Sequence, residues 1–218
     1  MFPINKYKTI FLDWNGTLSK SKFWGQLGNG DETERAMFAQ IEEALFGQMR
    51  ELLKPWMRGE YTSEDICRKI ADGTGLAYEV IFAEFVKSCE LMELSDGKIP
   101  DLLKNLKETG AKIVIATDNM DSFTRWTYPS LQKRYGDLFY GFLNSADISA
   151  MKEDMGGETS LFFDKYIKEN NLSCKDSVLI DNSPDKNGVF KKIGLEYIQV
   201  PTTEDFLNVL FTSNPQGI

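Results

Sequence analysis

The sequence predicts an α/β fold, a doubly wound parallel sheet of five strands with an inserted all-helical domain, and three observations predict it. Five short apolar or β-branched segments stand at residues 8–12, 112–116, 138–143, 177–180 and 196–200. Most run nearly unbroken in hydrophobicity, as strands covered on both faces do. A segment of helical spacing precedes each of the last four, at residues 99–109, 122–135, 159–170 and 186–193, which is the alternation that parallel crossovers need. Finally, the stretch between the first two strands, residues 19–96, is too long for one crossover and is itself rich in helical spacing.

Taken in order, the first strand is short and apolar and ends at Asp13. In the insert, residues 32–53 bring Ala36, Ala39, Ile41, Ala44, Leu45 and Met49 toward one broad face, and residues 62–70 and 78–91 continue the pattern. Residues 22–31, with the turn-prone Gly25, Gly28, Asn29 and Gly30, read as a mobile connection, and Ser95-Asp96-Gly97 marks the return. The expected division is therefore a Rossmann-like core of residues 1–18 and 97–218 and a helical unit of residues 19–96. No internal repeat or low-complexity tract interrupts it.

Composition narrows the chemistry. A formal charge of −8 opposes nucleic acid as a general ligand, because such binding draws its affinity from basic groups that displace counterions. A small phosphorylated molecule stays open, since a few amides and one lysine can capture a phosphate against an unfavourable net charge. Three cysteines without closely spaced pairs, no apolar run of membrane length and no leader pattern at the start point to a cytoplasmic protein with reduced thiols, a monomer or homodimer without membrane partners. The chain has no histidine, which removes the commonest general base and the usual zinc ligand together. Hydrolytic chemistry would rest on carboxylates, hydroxyls, lysine or a hard cation.

Such groups gather where open α/β sheets bind ligands, beyond the carboxyl ends of the strands. After the first strand come Asp13-Trp14-Asn15-Gly16-Thr17, and after the second Thr117-Asp118-Asn119. Lys152 lies in the loop after the third, and Asp181-Asn182-Ser183-Pro184-Asp185 follows the fourth. Each has an ordinary explanation too. Asp13 suits a strand-end turn, Thr117 suits a helix cap, Lys152 suits a solvated surface, and Asp181 and Asp185 suit a loop. In the insert, Trp24, Trp56 and Phe46 are first of all candidates for its own core, and Lys22, Arg50 and Arg58 for solvated surface charge.

In order and spacing these motifs resemble those of the haloacid dehalogenase superfamily over nearly the whole chain. An apolar strand with Asp-x-Asp-Gly-Thr-Leu is matched by Asp13-Trp-Asn15-Gly-Thr-Leu18, a strand ending in Thr by Ile113-Val-Ile-Ala-Thr117, a lone lysine by Lys152, and a strand followed by acids by Val178-Leu-Ile-Asp181 through Asp185. The resemblance implies a strand order 3-2-1-4-5 with residues 19–96 as a helical cap. It implies Asp13 as nucleophile toward phosphorus, with Thr117, the Asp118 amide and Lys152 holding the phosphate. It further implies Mg²⁺ bound by Asp13, the main-chain oxygen of Asn15 and Asp181, with Asp185 in support through water or as a partner of Lys152.

Asn15 departs from the pattern. Phosphatases of the family carry there an aspartic acid that protonates the leaving alkoxide and later activates water, and asparagine does neither. Positioned acid/base catalysis is worth roughly 10² to 10⁴ in rate. The expected activity is therefore slow Mg²⁺-dependent hydrolysis of a small phosphorylated metabolite. The alternatives are a weakened protein that holds a phosphorylated ligand without turning it over, or a member with other chemistry. A phospho-accepting receiver domain is disfavoured, because its accepting aspartate follows the third strand and it has no large insert after the first. The Asn15-Gly16 pair is also a candidate for deamidation to aspartate.

Overall fold

The computed structural model describes residues 4–211. Seven strands occur among them: β1 (Thr9–Leu12), β2 (Lys112–Thr117), β3 (Gly141–Asn144), β4 (Met155–Gly156), β5 (Thr159–Ser160), β6 (Ser177–Asp181) and β7 (Glu196–Gln199). Five form one parallel sheet in the order β3-β2-β1-β6-β7. With the small antiparallel hairpin β4-β5 set aside, this is the expected 3-2-1-4-5. Chain direction across the sheet reverses between β1 and β6, so the crevice at a topological switch point opens at the ends of these two strands.

Two-residue periodicity along the strands explains why both sheet faces are covered. Ile10, Leu12, Ile113, Ile115, Val178 and Ile180 enter one buried cluster, together with Leu103 and Leu106 of the helix Ile99–Glu108 and Phe206 of the helix Thr203–Phe211. The alternate residues Phe11, Val114, Ala116 and Leu179 enter a second cluster with Phe162, Phe163 and Phe190. Each strand thus feeds two cores, and no polar face is left to alternate with the apolar one.

Element bounds shift where local geometry intervenes. The third strand begins at Gly141 rather than 138. The segment read as one helix over 122–135 is a π-helical turn, Phe123–Thr127, running into the helix Tyr128–Tyr135. The hairpin β4-β5 occupies part of the stretch read as helix from 159, whose helical part is Asp164–Glu169. The C-terminal helix Thr203–Phe211 has no counterpart in the sequence reading.

The insert is helical throughout. Its main helices are Glu32–Glu42, Ser63–Thr74 and Tyr78–Leu91, and a π turn, a 3-10 turn and the short helix Leu53–Met57 replace the far half of the single helix expected over 32–53. Asp31 and Thr62 start two of these helices with reciprocal capping boxes to Glu34 and Asp65, satisfying orphan amides at each start. Trp24, Trp56, Ile66, Ile70, Ile81 and Phe85 form its buried cluster. The connection read as mobile is instead anchored, for Trp24 is buried and its indole Nε1 donates to Ile81 O at 2.9 Å.

Candidate active site

Asp13 sits one residue beyond β1, level with the ends of both neighbouring strands, because Leu12 is in register with Ile115 on one side and Ile180 on the other. Its amide continues the ladder by donating to Ile180 O at 3.0 Å. The chain then folds back: Leu18 N donates to Asp13 O, Ser19 N to Trp14 O and Gly16 N to Ser19 O at 2.7 Å. Gly16 has φ +86°, and a Cβ there would stand 2.4 Å from Asn182 Nδ2, so left-handed backbone and close approach both call for glycine. The Gly16 nitrogen needed for Asn15 deamidation is already committed to Ser19 O, which opposes that reaction.

Lys152 draws the expected groups together. Its Nζ lies 2.6 Å from Asp13 Oδ1 and 2.5 Å from Asp181 Oδ2, and all three side chains are buried, at 8% exposed or less. The loop that carries Lys152 is fixed by its own amide, which donates to Asp118 Oδ1 at 2.9 Å. Burial raises the Asp13 carboxyl to about 7, against the pull of Lys152 and with further upward push from Asp181. Burial alone would lower the Lys152 ammonium, but Asp13, Asp181 and Asp118 more than reverse this and hold it raised. Burial also raises Asp118. Three carboxyls thus surround one ammonium, leaving the site short of positive charge.

Asn182 occupies the remaining side of Asp13. With its amide nitrogen turned inward, it donates to the main-chain oxygen of Asn15 at 3.1 Å and to Asp13 Oδ2 at 3.3 Å. These are two of the oxygens expected to hold Mg²⁺, converging on one point. Asp181, the third expected ligand, has its oxygens engaged elsewhere: Oδ2 with Lys152 and Oδ1 accepting from Ser183 N at 2.8 Å. Among the described residues no cluster of three or more His, Cys, Asp or Glu side chains has metal-binding geometry, so a cation here would depend on neutral oxygens as well. Mg²⁺ accepts such a set, since it commonly takes only one or two carboxylates.

Thr117 ends β2, the strand next to β1, and Asp118 follows it. The Thr117 hydroxyl is fully buried without a hydrogen-bond partner. An orphan hydroxyl next to a buried acid is costly unless a ligand completes it. Asp185, in contrast, forms no ion pair with Lys152 among the described residues: its Oδ1 accepts from Val189 N at 2.8 Å, at the start of the short helix Val189–Lys192. The direct partners of the Lys152 ammonium are Asp13 and Asp181.

The helical insert roofs the site. Asp121, just past β2, accepts from Trp56 Nε1 at 3.0 Å and from Ser63 Oγ at 2.6 Å, and Arg125 ties Asp121 to Glu64 with contacts of 2.6 to 2.8 Å. Arg58 pairs with Asp154 at 2.8 Å across the same boundary. Two hollows reach the centre. One of about 300 Å³ is edged by Lys152, Asp181, Arg58 and Tyr197; the other, of about 440 Å³, lies between insert and sheet with Asn15 and Asp118 at its floor. Trp24 and Trp56 belong to the core of the insert, whereas Phe46 is 45% exposed and lines the larger hollow.

Asp13, Thr117, Asp118, Lys152 and Asp181 therefore meet as expected, with Asn15 at the rim. The sequence reading missed Asn182 as a neighbour of Asp13 and Asp121 as a tie to the insert. For Asn182 a signal existed, since it follows Asp181 at the same strand end; Asp121 is one of many loop acids, and only its partners distinguish it.

No family model matches the chain, and no curated protein matches it by sequence. Solved structures do. A predicted HAD-like family hydrolase from Porphyromonas gingivalis superposes with a TM-score of 0.65 at 13% identity, covering 97% of this chain and 100% of that one. The HAD family enzyme bt-2542 from Bacteroides thetaiotaomicron, in complex with magnesium and inorganic phosphate, gives 0.61 at 16% identity over 88% and 93%. An L-2-haloacid dehalogenase from Xanthobacter autotrophicus, with chloropropionic acid covalently bound, gives 0.61 at 13% over 97% and 85%. The chain has the haloacid dehalogenase fold.

Proposed function

We propose that this chain, built on the haloacid dehalogenase fold, is a hydrolase that moves a phosphoryl group from a small phosphorylated molecule to Asp13 and then to water. One observation carries the reading: a buried lysine holds two strand-end carboxylates at the switch point, beside an orphan threonine hydroxyl. In an ordinary core, three carboxyls around one ammonium would be an uncompensated cost. At a site for a phosphate and a divalent cation, the cation would supply the missing positive charge and a phosphoryl oxygen the missing hydrogen-bond acceptor.

Lys152 keeps the Asp13 carboxylate oriented for attack and presents positive charge to the transferring oxygens, the kind of fixed stabilisation that dominates phosphoryl transfer. Thr117 donates its free hydroxyl to a phosphoryl oxygen. Asp181 holds Lys152 from the far side. Mg²⁺, when bound, would neutralise charge between Asp13 and the phosphate. Asp13 Oδ2, the Asn15 main-chain oxygen and, with its amide turned over, Asn182 Oδ1 are the groups suited to hold it. The neighbour bt-2542 was crystallised with magnesium and phosphate, which supports Mg²⁺ and a phosphate as the pair of ligands.

Asn15 cannot give a proton to the leaving group or take one from water. That observation favours a second reading, a protein that retains a phosphorylated ligand with little turnover. Phosphate release from a panel of phosphate esters in Mg²⁺ tests the two. Release that disappears in Asp13→Asn supports the enzyme; ligand-induced thermal stabilisation without product supports the binder; neither result rejects both.

A further inference from the structure

The hollow that ends on Asn15 and Asp118 has a composition that restricts what can fill it. Its walls carry Phe23, Phe46, Leu53, Met57, Met92 and Met120. The charged side chains at its edge, Lys22 and Glu42, face each other at 3.6 Å and so offset one another. At about 440 Å³ it lies within the range of sites for small organic ligands. A sugar or polyol could find partners in Ser21, Lys22, Glu42, Asn15 and Asp118, but each hydroxyl set against the Phe, Leu and Met walls would stay unpaired, a penalty of about 1 to 3 kcal/mol. A flat aromatic body would instead meet phenyl faces and thioethers, both favourable neighbours for a ring.

The floor of the hollow gives a second, independent restriction. There Asp118 receives the Lys152 amide on one oxygen and Asn15 is a carboxamide, while at the edge Glu42 is paired with Lys22. The carboxamide of Asn15, two residues past Asp13, carries no acid proton to give a departing oxygen. An alkoxide, whose conjugate acid is about as weak as water, leaves poorly without such help. A phenolate, with a conjugate acid of pKa near 10, leaves as the free anion far more readily.

Resting on the proposed phosphoryl transfer at Asp13, we infer that the substrate is an aryl phosphate, a monoester whose uncharged aromatic leaving group lies in the Phe- and Met-lined hollow. In the step this implies, an Asp13 oxygen bonds to phosphorus while the phosphorus–aryl oxygen bond breaks and its electron pair departs on the phenolate. Water then attacks phosphorus, the bond to Asp13 breaks, and the proton of the water passes to bulk solvent. Because Asn15 does not assist that second displacement, the first turnover outruns later ones.

The test compares 1-naphthyl phosphate with glycerol phosphate in Mg²⁺, following product release by the native chain and binding to Asp13→Asn by calorimetry, with inorganic phosphate as a common probe. Expected are a rapid initial release of naphthol equal to the enzyme present, and a kcat/KM for the naphthyl ester at least roughly tenfold above that for glycerol phosphate. Leu53→Glu should lower the naphthyl value roughly tenfold, with inorganic phosphate bound as before, and Leu53→Met should restore it. Phe46→Glu, at an exposed wall position, puts the same charge in the hollow should Leu53→Glu fail to fold. Glycerol phosphate turned over equally well, or a naphthyl rate indifferent to both glutamates, overturns the aryl assignment and leaves the phosphoryl reading standing. If neither ester nor inorganic phosphate binds, the phosphoryl reading fails and the inference fails with it.

Discussion

At position 15 a carboxamide stands beside Asp13, and at position 182 a second carboxamide bridges Asp13 Oδ2 and the Asn15 main-chain oxygen. The two asparagines have different consequences. Asn15→Asp restores a group that can carry a proton, so turnover of an alkyl phosphate should rise by about 10²-fold or more, read as phosphate release at saturating Mg²⁺. Asn182→Ala removes an oxygen suited to a cation, so the Mg²⁺-induced rise in melting temperature should shrink while the melting temperature without Mg²⁺ changes little. Lys152→Met leaves two buried carboxylates facing each other unpaired, and such a loss costs about 3 to 5 kcal/mol. Chemical denaturation should register it as a lower midpoint. At Gly16, alanine must accept a left-handed backbone and contact with Asn182, a penalty of about 1 to 2 kcal/mol in the same assay.

Elements meet at the junction between insert and sheet. Residues 120–127, which follow β2, contribute Met120 and Trp126 to the insert's hydrophobic cluster, and Asp121 and Arg125 add polar ties to Trp56, Ser63 and Glu64. A π-helical turn at Phe123–Thr127 widens the helix just where these side chains diverge, a feature often found at functional sites. The hydrogen bond from Arg125, with its charge, lowers the Glu64 carboxyl despite partial burial. An acid lowered in the folded state stabilises that state above its unfolded pKa, about 4.3 for glutamate, and loses the contribution as pH falls through the lowered value. The melting-temperature advantage of the native chain over Glu64→Gln should therefore be full near neutral pH and vanish in strong acid. An advantage that grew on acidification would contradict the tie.

For the molecule as a whole, the shared cluster predicts that insert and sheet unfold together. A single cooperative transition should be seen by tryptophan fluorescence, which reports Trp24 and Trp56 in the insert and Trp14 beside the sheet, and by far-ultraviolet circular dichroism. No described helix is long and apolar enough to cross a membrane. Mg²⁺ at about a hundred times its dissociation constant would stabilise the fold by about 2.7 kcal/mol if it binds only the folded chain.

Sequence alone determined the parallel five-stranded sheet, because a strand buried on both faces has no polar alternation and writes that fact directly into Thr9-Ile-Phe-Leu12, Ile113-Val-Ile115 and Val178-Leu-Ile180. It also marked Asp13, Thr117 and Asp181, since strand-end acids and hydroxyls are conspicuous against apolar runs, and Lys152 by its place in the loop after the third strand. Tertiary structure decided which oxygens face which. Lys152 took both Asp181 and Asp13, Asp185 turned to the Val189 amide, and Asn182 closed on Asp13, all choices among near neighbours settled by ångström-scale packing that no linear pattern encodes. The C-terminal helix and the anchoring of Trp24 belong to the same class, because each depends on a partner far along the chain: Trp24 is held by Ile81 O, and Phe206 by the buried face that β1, β2 and β6 build together.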